Sequence, residues 1–157
     1  MKQAPNYRYA RQLANHLRED PELAPLVMPG LFDRVSQCDL LVMTAGSQHC
    51  CIAVTPGDPT NTDQGMRTRT VQMDCPMVVG IYMQTETPLP EGYDSADEYL
   101  ADVAATIIER VQRWMRERED NQEEPIVVGV TPLDLSRLEK VANLTGKAVL
   151  LAPRLFY

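Results

Sequence analysis

The side chains best suited to do chemistry in this chain are two histidines, His16 and His49, and four cysteines, Cys38, Cys50, Cys51 and Cys75. Three of these are consecutive, as His49-Cys50-Cys51. A zinc site draws on about four ligands at recognisable spacing, and this triplet has no partner cluster. On a strand, Cys50 and Cys51 point to opposite faces and cannot readily grip one metal. The pattern therefore reads as small apolar side chains of a strand, with free thiols and no disulfides. The chemical alternative is a thiol nucleophile at Cys50 with His49 or His16 as its base. Nothing in the sequence positions the orienting third group that such a site uses.

Other signatures of chemistry are missing or have plainer explanations. Gly57 and Gly65 flank a polar segment, but no Gly-Lys-Ser or Gly-Lys-Thr follows, so there is no phosphate loop. Asp94, Asp97, Glu98 and Asp102 gather at an expected helix start, where the helix dipole favours negative charge. Met73, Met77 and Met83 fall at strand period and read as core or interface. No cofactor is implied, and the residues make no positive case for an enzyme.

The elements that would position these residues follow from patterning. The 157 residues suit one domain, and 44% hydrophobic with 24% charged residues is ordinary for a globular chain. A formal net charge of −7 argues against general nucleic-acid binding. No apolar run reaches the roughly 18 residues of a membrane span, and Met1–Asp20 is too polar for a signal peptide, so synthesis and use in cytoplasm are expected. Tyr7, Ala10, Leu13, Ala14 and Leu17 predict a first helix that starts at Pro5 and stops at Asp20-Pro21. Leu31–Val35 reads as a short strand, Cys38–Thr44 as strand or helix turn, and His49–Thr55 as a strand.

Seven apolar residues at every second position, from Val71 through Met73, Cys75, Met77, Val79 and Ile81 to Met83, predict a long strand with one buried face. It is expected to pair antiparallel with His49–Thr55, and Pro76 implies an edge or a bulge there. Ser95 and Glu98 predict a capping box opening a second helix, with a stripe of Tyr99, Leu100, Val103, Ile107, Val111 and Trp114. Ile126–Val130 is a further strand, Asp134 to Gly146 a possible third helix, and Ala148–Leu151 with Leu155–Tyr157 a last strand interrupted at Pro153. The sum is a single α+β domain over residues 1–157, a mainly antiparallel sheet with two or three helices on one face. Residues 55–70, rich in Pro, Gly, Thr, Asn and Asp, are expected to form a long projecting hairpin loop. The loop holds Asp58 and Asp63 and ends in Arg67-Thr68-Arg69, two cations beside an acidic domain, so Arg67, Arg69, Asp58 and Asp63 are its candidate interaction residues.

This order of an N-terminal amphipathic helix, the strand His49–Val54, a long polar loop, the alternating strand Thr70–Thr85 and the capped acidic helix Ser95–Arg118 resembles the tail terminator (tail completion) proteins of long-tailed bacteriophages. The likeness runs from about Pro5 to Val130 and rests on element order. It departs from the family pattern in the linker Thr87-Pro88-Leu89-Pro90-Glu91-Gly92 and in the possible third helix. The resemblance implies an α+β subunit that closes into a hexameric ring on the head-proximal end of the tail tube. Its implied partners are copies of itself, the tube protein and the head-completion or neck proteins, with DNA passing through the channel without sequence-specific binding. The implied location is the virion, after assembly in the host cytoplasm. Another neck, head–tail joining or tube protein is the neighbouring alternative, and a small thiol enzyme is the alternative of a different class.

Overall fold

A computed structural model describes residues 1–28, 30–31, 49–61, 72–117, 127–133 and 144–157. The first helix, α1 (Pro5–Glu19), begins with proline at its first turn, where a missing donor costs nothing. It ends where Asp20 turns extended ahead of Pro21. The Asp20 carboxylate accepts from the backbone N–H of Glu22 (2.9 Å) and Leu23 (3.3 Å), which turns the chain into a strap over residues 21–28. Arg18 holds that strap by donating to the Met28 carbonyl (2.8 Å) and to that of Gly30 (3.3 Å), where a φ of +80° bends the chain away. The strap lies parallel to β1 (Cys51–Pro56) at one bridge, Val27 opposite Ile52.

The strands after β1 are β2 (Thr60–Asn61), β3 (Gln72–Asp74), β4 (Met77–Gln84), β5 (Val127–Pro132), β6 (Leu144–Leu151) and β7 (Arg154–Phe156). Between β4 and β5 runs α2 (Ala96–Glu117). One antiparallel sheet has the order β1-β4-β6-β5 and a smaller one the order β2-β3-β7. The expected α+β architecture is therefore present, with two helices among the described residues.

The inward faces of β1, β4 and β6 supply Ile52, Val54, Met77, Val79, Ile81, Met83, Val149 and Leu151 to one core. Leu13 and Leu17 of α1, with Leu100, Ile107 and Val111 of α2, fill the other side of it. Burying a side chain of this kind contributes about 1.5–3 kcal/mol. Cys51 and Ala53 sit on the opposite sheet face with Met28, so the two adjacent cysteines do face opposite ways. Tyr82 folds its ring over Gly80, filling the space that a side chain there would need.

The single long strand expected over residues 70–85 is in fact two strands in two sheets. Pro76 marks the break and stays outside the ladder, so β4 can run in the middle of its sheet and not at an edge. The last strand divides in the same way at Ala152-Pro153. Gly146, expected to end a third helix, lies inside β6, because a side chain there would strike the Ile81 carbonyl and the Leu133 side chain. Residues 134–143 of that expected helix, and the elements expected over residues 32–44, lie outside the described residues.

At the start of α2 the Glu98 N–H donates to Ser95 Oγ (3.2 Å), as a capping box requires. The return bond goes one residue further back, from the Asp94 N–H to Glu98 Oε2 (3.2 Å).

Candidate functional site

The histidines and Cys50 are each engaged by a neighbour, while Cys38 lies outside the described residues. Cys50 is fully buried, and its Sγ shares a hydrogen bond with Tyr99 Oη (3.5 Å). Burial pushes its thiol up to about 11, far from the range of an activated nucleophile. The neighbouring His49 turns outward, donating from Nδ1 to the Pro88 carbonyl (2.9 Å) with its ring edge-on to Tyr99. His16 stacks on Trp114 (5.6 Å between centroids), which in turn meets Tyr9 edge-on (5.2 Å). The structure thus pairs the Cys50 thiol with the Tyr99 hydroxyl, turns His49 Nδ1 to the Pro88 carbonyl and sends His16 to Trp114.

The acidic quartet is spread over separate tasks. Asp97 pairs with Lys147 of β6 (3.1 Å), which ties the start of α2 to the sheet. Glu98 serves the cap, and Asp102 accepts a hydrogen bond from Tyr93, which raises that phenol above its ordinary value. Among the described residues, no three His, Cys, Asp or Glu side chains converge as metal ligands. No helix among them is long and apolar enough to cross a membrane.

The expected loop over 55–70 is redrawn at its N-terminal side. Thr55 and Pro56 finish β1, residues 57–59 link, and Thr60–Asn61 form β2, paired with Asp74 and Met73. The pairing arises because residues 60–61 run beside β3, and Thr60 Oγ1 adds a bond to the Asp74 carbonyl (3.3 Å). Asp58 is exposed on the link between β1 and β2. Asp63, Arg67 and Arg69 lie outside the described residues, within 62–71, the stretch joining β2 to β3.

The sequence reading missed a pair of exposed edges. Val128 is 66% and Val130 41% exposed on β5, at the border of the larger sheet, and Phe156 is 58% exposed on β7, at the border of the smaller one. The signal was present: β5 reads Val-Val-Gly-Val-Thr-Pro, with no charge to guard an edge. A bulge at Val128 and Pro132 limit regular pairing along β5 and leave apolar side chains as its principal offering. The opposite border is partly covered, since Ile52 exchanges both backbone bonds with the strap, to Leu26 and from Met28 (2.8 Å each).

Comparison with family models, with curated proteins and with solved structures finds no match to this chain.

Proposed function

We propose that this chain is a structural assembly protein, a phage tail terminator whose copies close into a hexameric ring on the tail tube, stop its growth and join it to the head or neck. The observation that carries the reading is the order of elements: α1, a strand, a long connection, a second strand antiparallel to the first, then a capped helix on the same face as α1. That is the order on which the resemblance to tail terminators rests. Two further features suit a ring subunit. One border of the larger sheet is partly covered and the other offers Val128 and Val130, so the two sides differ, as a head-to-tail interface requires. The connection 62–71, which holds Arg67 and Arg69, leaves from a small sheet of its own.

A neighbouring role as another neck, joining or tube subunit draws on the same features. The thiol-enzyme reading gains nothing from the geometry, because Cys50 is a buried, protonated partner of Tyr99 and His49 serves Pro88. The test is to add the purified chain to polymerising tail tubes and image them by electron microscopy. Tubes capped at one end and uniform in length support the reading. Unchanged length distributions and bare tube ends contradict it.

A further inference from the structure

The two helices carry opposite charge at their starts. α1 has no acidic residue in its first turn and no side-chain cap, and it opens with Arg8 and Arg11, with Lys2 just ahead. Cations there work against the helix dipole, which is positive at that end. Both arginines are exposed, and neither has an acidic partner among the described residues. Tyr7, 36% exposed and four residues before Arg11, adds an aromatic ring to the same face.

α2 opens the other way. Asp94, Asp97, Glu98 and Asp102 are all exposed there, and Lys147 pairs with Asp97 alone. Even in that pair the Asp97 side chain stays 82% exposed. The helices run antiparallel, since Asp20 meets Arg110, His16 stacks on Trp114 and Tyr9 Oη donates to Met115 Sδ (3.0 Å). The basic start of α1 therefore lies beside the end of α2, roughly 25 Å from the acidic start at about 1.5 Å per residue. The sheet separates the two patches as well. Asn6 Nδ2 donates to the carbonyl of Gly57 (3.0 Å), just past β1, whereas Lys147, the partner of Asp97, lies opposite Pro132 of β5. Positive and negative patches occupy opposite corners of the helical layer.

We infer that the basic face of α1, formed by Tyr7, Arg8 and Arg11, docks on the acidic start of α2 in a second copy of this chain. The chain carries both halves of the contact, and they stand too far apart to meet within one molecule. A polyanion such as duplex DNA would find the arginines but would be repelled by the rest of a chain with a net charge of −7. Unlike patches at opposite corners make a head-to-tail contact, which closes into a ring when the rotation closes. The contact rests on the self-assembly in the proposed function and not on the tail tube. Charge-paired assembly that leaves tubes uncapped would contradict the tail-terminator reading alone.

Sedimentation velocity of the purified chain over a concentration series tests the contact. Arg8→Glu with Arg11→Glu should raise the concentration for half-assembly at least about tenfold, and so should Asp94→Lys with Asp102→Lys. Mixed in equal amounts, the two double variants should assemble to within about threefold of the native chain, because each supplies the charge the other lost. Both leave Glu117–Glu124 untouched, so that acidic run cannot explain the rescue. If circular dichroism shows either variant unfolded, Arg8→Gln with Arg11→Gln and Asp94→Asn with Asp102→Asn take their places. Each neutral variant should weaken assembly, and mixing them should restore nothing. A native chain that stays monomeric at every concentration, variants that assemble like it, or a charge-reversed mixture no better than its parts would overturn the contact. Duplex DNA binding that Arg8→Glu with Arg11→Glu abolishes, with self-assembly unchanged, would give the basic face to a polyanion instead.

Discussion

Cys50 shows how a residue type can suggest chemistry that its surroundings withhold. Its thiol is lifted from an ordinary value of 9.0 to about 11. A thiol raised in the fold contributes stability that is fully present below about pH 9 and is lost as pH rises towards 11. Urea unfolding at pH 8 and at pH 10.5 should therefore show a loss in the native chain that Cys50→Ala does not share, up to roughly 2 kcal/mol. Equal losses in both would refute the assignment. Replacing Cys50 and Cys51 together by alanine should lower stability yet leave tail assembly intact in a complementation assay. Asp20 has the opposite sign. Burial alone would raise its carboxyl, but bonds from Arg110 and from the Glu22 and Leu23 backbone outweigh this and hold it below the usual range. Its contribution is present at neutral pH and is lost as pH falls through the lowered value. Asp20→Ala should cost on the order of 1–2 kcal/mol at pH 7, with the gap to the native chain narrowing below pH 4. A gap that held constant with pH would contradict the pairing. Neither shift was legible beforehand, because Tyr99 and Arg110 stand 49 and 90 residues away in the chain.

Among the elements, local pattern was legible and long-range closure was not. Pro5 and Asp20-Pro21 bound α1 in the sequence and in the structure, and Ser95 caps α2 as its spacing implies. Alternation from Met73 to Met83 foretold a buried face, with Cys75, Met77, Val79, Ile81 and Met83 all in the core. Alternation continues across a break between sheets, however, and so could not reveal that β3 and β4 belong to different ones. Gly146 looked like a helix stop because its role, a close approach to Ile81 and Leu133, depends on neighbours that only the fold assembles. The redrawn loop changes which deletion is informative. Removing Thr60 and Asn61 would cost the smaller sheet a strand, whereas replacing residues 63–71 by Asn-Gly keeps the pairing of Asn61 with Met73 and closes it with a favoured two-residue turn. That variant should fold with an unchanged thermal midpoint. It should also leave tails irregular in length or unjoined to heads in electron micrographs, and uniform tails joined to heads would remove the role given to this segment.

For the molecule as a whole, the central claim is that this domain works as one unit of a closed ring. The two borders of its larger sheet differ, with the strap along β1 on one side and exposed Val128 and Val130 on the other. Unlike borders repeat around an axis, and they close into a ring when the rotation per subunit closes. On that proposal, a net charge of −7 per chain would suit a channel that lets DNA pass without holding it. The candidate interaction residues Arg67 and Arg69 could be named from sequence because they are charged and lie in a polar stretch. The apolar border could not, because exposure at β5 and β7 depends on which strand ends up outermost. The most direct measurement is native mass spectrometry of the purified chain over a range of concentrations, with and without tail tubes. The account predicts a hexamer that accumulates at high concentration or on the tube; a monomer at every concentration, together with no binding to tubes, would contradict it.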